Sequence, residues 1–223
     1  MKENINLPDE IIRALTGELC DRIKEIPDTD SRIDTLNYIR MMLHQVSPLK
    51  HHPVDFVAWE RSVIIEANDY NPNSVAPPEM RLLVTSIEDD GYTMPVVTCP
   101  EECIFRIVDG FHRRQAEKKS KNISISTYGR LPVTFIRESR RGLDDRMAST
   151  VRHNRARGAH NIDLMSNIVR ELIFMGRSLQ WISRHVGMDM DEILRLKQLT
   201  GLAALFAGKE FSYSENMDSF KSP

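Results

Sequence analysis

The sequence predicts an α+β protein: a mixed-sheet core between an N-terminal helical hairpin and a C-terminal helical region. Three observations carry the prediction. Apolar residues recur every three to four positions through the first fifty residues. Between Val54 and Ile136 the pattern changes to short apolar runs punctuated by Pro, Gly and Asn. After Asp144 the helical spacing returns. With 223 residues, 41% of them apolar and 28% charged, the chain can bury a sizeable core and has an ordinary globular composition. The expected parts are a hairpin over 1–53, a core over 54–142, a helical region over 143–208 and a flexible polar tail over 209–223.

Pro8 suits the first turn of a helix carrying Ile11, Ile12, Leu15, Leu19 and Ile23. Asp30 or Ser31 can cap a second helix, with Ile33, Leu36, Tyr38, Ile39, Met42 and Leu43 along it and Pro48 ending it. Lys50-His-His-Pro53 reads as a linker. Phe56-Val57, Trp59 and Val63–Ile65 are strand-like and feed a turn-rich loop, Asn68-Asp-Tyr-Asn-Pro-Asn73. Pro77-Pro78 opens a helix whose buried side is Met80, Leu82, Leu83 and Ile87, ended by Gly91. Strands follow at Met94–Thr98 and Cys103–Val108, then a helix over Phe111–Lys119 and a last strand at Leu131–Ile136.

Helices are expected over Asp144–Arg155 and Ile162–Met175, the second with Leu164, Ile168, Leu172 and Ile173 inward. Leu179–Leu196 then has the spacing of a helix-turn-helix: Ile182 and Val186 on the first helix, Gly187 at the turn, and Met188, Ile193 and Leu196 continuing the seam. Ser183 leaves room where the helices cross. Trp181 falls between seam positions and reads as core.

The net charge of −2 hides a segregation. From Phe105 to His160 there are fourteen Arg or Lys against five Asp or Glu, a local charge of about +9 in an acidic frame. Because this block begins at an Asp-Gly turn, it reads as an anion-binding surface. Cys20, Cys99 and Cys103 form no zinc-like pair of pairs. With no signal peptide and no long apolar run, the expectation is a cytoplasmic protein without a membrane partner.

The chemistry concentrates in Ile107-Val-Asp-Gly-Phe-His-Arg-Arg-Gln-Ala116, where an apolar strand end meets an acid, a glycine, a histidine and two arginines at a helix start. Gly110 lets the backbone approach a ligand, and the amides after it point at a bound anion. Arg113 can fork two phosphate oxygens, while Arg114 points to another face of the helix. His112 can donate a hydrogen bond or shuttle a proton. Asp109 can hold Mg²⁺ or accept a proton from a hydroxyl nucleophile. Spacing alone leaves two readings open, a phosphate site or a capped helix with its arginines in salt bridges.

Two stretches together resemble the ParB/sulfiredoxin-like superfamily. Leu83–Val97 is similar to that family's helix, "SI…G" turn and "P-I-x-V" strand. Val108–Ala116 matches the ParB motif G-E-R-R-x-x-A at Gly110, Arg113 and Ala116, with Phe111 and His112 replacing the Glu and first Arg. The D-G-x-H-R form is closer to the family's free serine kinases, which implies a catalytic role for Asp109. Sulfiredoxins carry their reactive cysteine where this chain has Phe111, so sulfinic-acid reduction is not expected. His153-Asn-Arg-Ala-Arg157 aligns with ParB's E-N-x-Q-R. The resemblance implies that Asn154 and Arg157 complete a nucleotide phosphate site, while the absent Glu argues against Mg²⁺-dependent CTP hydrolysis. Asp69 and Asn71 occupy the loop expected to line the pocket. The whole chain most resembles IbrB-type, prophage-associated co-activators, encoded beside a phosphoadenosine-phosphosulfate-reductase-like partner.

The resulting expectation is a nucleotide-responsive, DNA-binding transcription regulator, using a nucleoside triphosphate and Mg²⁺ as cofactors, with DNA, the co-encoded protein and a second copy of itself as partners. Arg184, His185, Arg195 and Lys197 are the expected DNA contacts, with Arg170 and Arg177 able to position the duplex. Acids at Asp191 and Glu192 oppose base reading by the first turn of the second helix, which favours partner-dependent use. The rival reading is a phosphotransferase or NTP hydrolase with Asp109 as base. A nuclease would need a cluster of metal carboxylates, which the sequence does not offer beyond Asp69 and Asp109.

Overall fold

The structure, a computed structural model, describes residues 9–69, 77–155 and 162–206, with the backbone alone at 153–155, 162–164 and 199–206. The fold is α+β, with a five-stranded mixed sheet among nine α-helices in the described residues.

Helices α1 (Glu10–Lys24) and α2 (Thr29–Val46) form the N-terminal hairpin. Asp9 caps α1 by accepting from Ile11 N at 2.8 Å. α2 is capped by Asp28, which accepts from Ser31 N at 2.7 Å, and not by Asp30 or Ser31. Asp30 instead joins Asp34 in holding Arg130, whose guanidinium is 1% exposed, at 2.7 and 2.6 Å. Arg130 also donates to Trp59 O, and Asn37 pairs through its amide with both backbone groups of Trp59 at 2.9 Å. The hairpin is thus attached to the sheet edge by polar contacts. The expected linker is packed as well, since His51 O accepts from Arg137 Nε at 2.8 Å and Pro53 O accepts from the Thr134 hydroxyl.

The sheet runs in the order β1 (Ala58–Arg61), β5 (Arg130–Phe135), β3 (Val96–Pro100), β4 (Phe105–Asp109), β2 (Ile65–Glu66). The β1–β5 and β3–β4 pairs are antiparallel, and β5–β3 and β4–β2 are parallel. Val63 and Ile64, expected as strand, lie in a 3₁₀ turn between β1 and β2, and Val63 points to solvent. The chain bends through that turn from β1 into β2, which runs in the same direction as β1, so an apolar triplet does not become an extended run. Alternation along the strands divides the core. Ile107 packs with Ala58, Ile65, Val96, Leu131 and Val133, whereas its neighbour Val108 packs with Cys99 and Ile136 on the other face. Each fully buried aliphatic side chain of this kind contributes about 1.5–3 kcal/mol.

Helix α3 (Pro77–Asp90) buries Met80 and Ile87, and Leu83 is partly buried. Leu82, expected on that side, is exposed, because it lies two positions from Met80 and so falls across the helix. α4 (Phe111–Lys119) is followed by a short helix, α5 (Lys121–Ser126), that the apolar pattern did not announce. Ser120 caps it, and Ile123 joins Ile87 and Ala116 in a small core under α3.

α6 (Leu143–Arg155) leads from the sheet to α7 (Ile162–Phe174), α8 (Leu179–Val186) and α9 (Met190–Phe206). Their common core holds Met147, Ala148 and Val151 of α6, Ile168, Val169 and Leu172 of α7, Ile182 and Val186 of α8, and Met188, Ile193 and Leu196. These include every seam position expected of the helix-turn-helix. Gly187 sits at φ 78°, ψ 30°, the left-handed cap that a tight turn between two helices needs. Ser178 caps α8 and Asp189 caps α9. No helix among the described residues is long and apolar enough to cross a membrane. The expected tail over 209–223 lies outside the described residues.

Candidate functional site

The site is built where β4 ends. Asp109, the last strand residue, is 7% exposed. Gly110 turns the chain at φ 95°, ψ 19°, and α4 starts at Phe111. The left-handed backbone favours glycine, and a Cβ there would stand 2.6 Å from Arg113 Nη2 and displace the guanidinium folded over it. Gly110 O accepts from the amides of Arg113 and Arg114, at 3.0 and 3.2 Å, closing the first turn. The amides of Phe111 and His112 belong to the helix start, where anions are favoured.

Arg113 lies over the turn. Its Nη2 donates to Pro95 O at 3.0 Å and to Asp109 Oδ2 at 3.3 Å. The Tyr92 hydroxyl donates to Arg113 O at 3.2 Å, and burial pushes that phenol far above its ordinary value, with the Glu117 carboxylate adding to the effect. Burial also lowers the His112 imidazole; Asp109 opposes this, and Arg113 and Lys119 reinforce it. The histidine is therefore a neutral donor or acceptor at neutral pH.

Arg114 requires a correction. It was expected among the phosphate ligands, yet its guanidinium is buried on the far side of α4, donating to Ile65 O at 3.3 Å and paired with Glu117. Glu117 in turn accepts from Ser62 Oγ at 3.2 Å. One residue along a helix rotates a side chain by about 100°, which carries Arg114 from the turn to the β1–β2 connection. The cationic block divides. Arg106 is held by Glu66 and Glu101, Arg130 by Asp30 and Asp34, and Arg146 by Glu101. Lys118, Lys119, Lys121, Arg137, Arg140, Arg141 and Arg152 remain exposed.

Asp69 is exposed at the start of the loop beside the site. Just before it, the Asn68 amide donates to Ile107 O at 2.7 Å, and Arg106 donates to Ala67 O at 2.9 Å. Asn71 and Arg157 lie outside the described residues. Asn154 is on α6, with its backbone alone described. Among the described residues no three of His, Cys, Asp or Glu come together as a metal group.

Helix α6 joins the site to the helical region. Thr150, buried among Met147, Ala148 and Val151, donates its hydroxyl to Val108 O at 2.8 Å. Arg146 donates to Glu101 Oε1 at 2.7 Å, and the other carboxylate oxygen accepts from Arg106 at 3.1 and 3.2 Å. Burial alone would raise the Glu101 carboxyl, but Arg146 and Arg106 outweigh it and hold it below the ordinary value. No signal in the sequence marks Thr150, whose neighbours one turn away on α6 are Arg146, Met147, His153 and Asn154.

On the helix-turn-helix, Arg184, Arg195 and Lys197 are exposed. His185 is committed elsewhere. Its ring stacks on Trp181 at 4.3 Å and its Nδ1 meets Trp181 O at 2.9 Å, with Arg177 over the same indole at 4.8 Å. Its role is local packing, since the spacing of four residues on one helix sets it against Trp181. Arg152 of α6 donates to His185 O at 2.7 Å, capping the end of α8. The first turn of α9 carries Asp191 and Glu192.

Comparison with known proteins agrees with the helix-turn-helix reading of the C-terminal helices. The family model of the IbrB-like C-terminal HTH domain matches residues 160–208. The uncharacterized protein YbdM of Escherichia coli (strain K12) is 47% identical over 205 residues, covering 92% of this chain and 96% of its own length. Two structures of the C-terminally truncated chromosome-partitioning protein ParB from Caulobacter crescentus are more distant. The one complexed with CTP-gamma-S has 14% identity and a TM-score of 0.39, covering 67% of this chain and 83% of its own. The one complexed to the centromeric parS site has 15% identity and a TM-score of 0.43, covering 67% and 78%. The chain belongs to the family of YbdM, and its residues 160–208 match the IbrB-like C-terminal HTH domain.

Proposed function

We propose that the protein is a DNA-binding regulator whose Asp109–Arg113 turn senses a nucleoside phosphate and passes its occupancy to the helix-turn-helix. The observation that carries this reading is the double use of α6. Its Thr150 is hydrogen-bonded to the strand one residue before Asp109, and its Met147, Ala148 and Val151 are part of the core that holds α7, α8 and α9. A ligand that repositions the turn cannot leave α6 indifferent, because packed cores shift between discrete arrangements.

Arg113 is the arm of this sensor. An incoming phosphate competes with Asp109 for the Nη2 that now donates to it, while Pro95 O keeps the guanidinium over Gly110. A bound Mg²⁺ would supply charge neutralisation between Asp109 and a phosphate, and Asp109 is the acid placed to hold it. His112, neutral and half-buried, can donate to a phosphate oxygen. Asn154 and Arg157 are proposed to close the site from the α6 side. Arg184, Arg195 and Lys197 are proposed phosphate contacts to DNA. The acidic first turn of α9 favours work beside a partner protein over unaided base reading, as a co-activator requires.

The test is a nucleotide panel, with and without Mg²⁺, read by thermal shift and calorimetry, followed by DNA-binding titrations at two salt concentrations. Arg113→Ala is expected to lose nucleotide binding while remaining folded. Arg195→Ala is expected to weaken DNA binding across sequences and reduce the salt slope by about one. A wild-type protein that no nucleotide shifts and that ignores DNA at low salt would overturn the proposal.

A further inference from the structure

Neither helix of the N-terminal hairpin buries a single side chain. Ile11, Leu15 and Leu19 recur every fourth residue on α1, and Tyr38, Met42 and Val46 do so on α2, so each set forms one stripe. All six are between 42% and 81% exposed. Arg32 Nε donates to Ile26 O at 3.0 Å and fixes the short connection between α1 and α2. Met42 lies five positions from Asn37 and two from His44, the residues that fasten α2 to the core through Trp59 and Asp55. It therefore projects about half a turn away from them, on the outer side of the hairpin. Helices of this length have little stability in water without a packed face. Monomers rarely expose a contiguous apolar surface of this kind without a use for it.

We propose that this face binds a second copy of the chain, two hairpins closing an antiparallel four-helix bundle about a two-fold axis. The charges argue for a self-complementary partner. The α1 stripe is bordered by Glu18 and Arg22, one turn apart and opposite in sign, so an antiparallel copy sets each Glu18 against the other copy's Arg22. Asp30 and Asp34, which would add like charge on α2, are already matched by Arg130. Six large side chains and the helix surface between them offer an area on the order of the 800 Å² per partner that stable interfaces bury.

Sedimentation equilibrium of the full chain tests this. The wild type is expected to have twice the monomer mass at micromolar concentration, and Leu15→Glu and Met42→Glu each to weaken association by about thirtyfold or more. Circular dichroism and thermal melting of both variants check that the core remains folded. Should either variant unfold, Leu19→Cys in a Cys20→Ser, Cys103→Ser background provides the second measurement. It is expected to oxidise to a covalent dimer, while Leu82→Cys on exposed α3 does not. A monomeric wild type would overturn the proposal and leave the face to a different protein or to residues 1–8. A dimer unaffected by both glutamates, with no Leu19→Cys cross-link, would overturn it equally.

Discussion

The hydroxyl of Thr150 donates to the carbonyl of Val108 at 2.8 Å, within a contact that both residues bury almost completely. The hydrogen bond joins the helix that enters the helix-turn-helix core to the strand that ends in the proposed ligand turn. Thr150→Val keeps the shape and removes the hydroxyl that donates to Val108 O, at a cost of about 0.5–1.5 kcal/mol. Urea denaturation should show that loss. On the proposed function, DNA affinity in the variant should respond more weakly to nucleotide than in the wild type.

Gly110 is the most constrained position in the turn. Gly110→Ala places a methyl group where Arg113 Nη2 now lies and forces a left-handed backbone on a residue that resists it. A destabilisation of about 1–2 kcal/mol is expected from the backbone alone. Arg113 must also leave its place between Pro95 O and Asp109, so the variant should lose nucleotide affinity even where it stays folded. Equal stability and affinity in chemical denaturation and calorimetry would contradict this geometry.

Arg130 is buried at the head of β5, while Asp30 and Asp34, its partners on α2, are half exposed. Arg130→Met removes both ion pairs and the donor to Trp59 O. Because water can reach the two acids, the cost is discounted from that of a fully buried pair to about 2–3 kcal/mol. The hairpin should loosen before the sheet does. Limited proteolysis is expected to cut between α2 and β1 faster than in the wild type, with little change in the C-terminal helices.

Acid should act in two stages. The folded protein holds the His112 imidazole below its ordinary value of 6.5, so the unfolded chain takes up that proton more readily. Stability should fall as the pH drops through about 6.5 toward the folded value, and His112→Gln should flatten this part of the profile. Glu101 is held below its ordinary 4.5 in the folded state. Its contribution is present above 4.5 and is lost as the pH falls through the lower folded value, and Glu101→Gln should remove that second stage. Denaturant midpoints measured from about pH 3 to about pH 8 check both signs.

The α4 boundaries at Phe111 and Lys119, the left-handed Gly187 and the helix-turn-helix seam from Ile182 to Leu196 were all legible in the sequence. Each rests on local chemistry: a glycine where φ is positive, a cap where amides are orphaned, apolar residues at the period of a helix. Local rules also placed Asp109, Gly110 and Arg113 at one strand-to-helix junction, because residues so near in sequence on either side of a tight turn cannot scatter. What they could not decide was which charges meet across the fold. Arg130 meets Asp30 and Asp34 from about a hundred residues away, and Arg146 reaches Glu101 from forty-five. Part of a basic run in the sequence thus became internal ion pairs once the sheet order was established, while the rest stayed exposed. The same long-range packing took Arg114 out of the ligand turn and gave Thr150, unremarkable in sequence, the contact between strand and helix. Periodicity and turn chemistry determined the elements and the turn; only the tertiary structure decided which side chains remain available to a ligand, because burial and pairing depend on neighbours that the chain supplies from elsewhere.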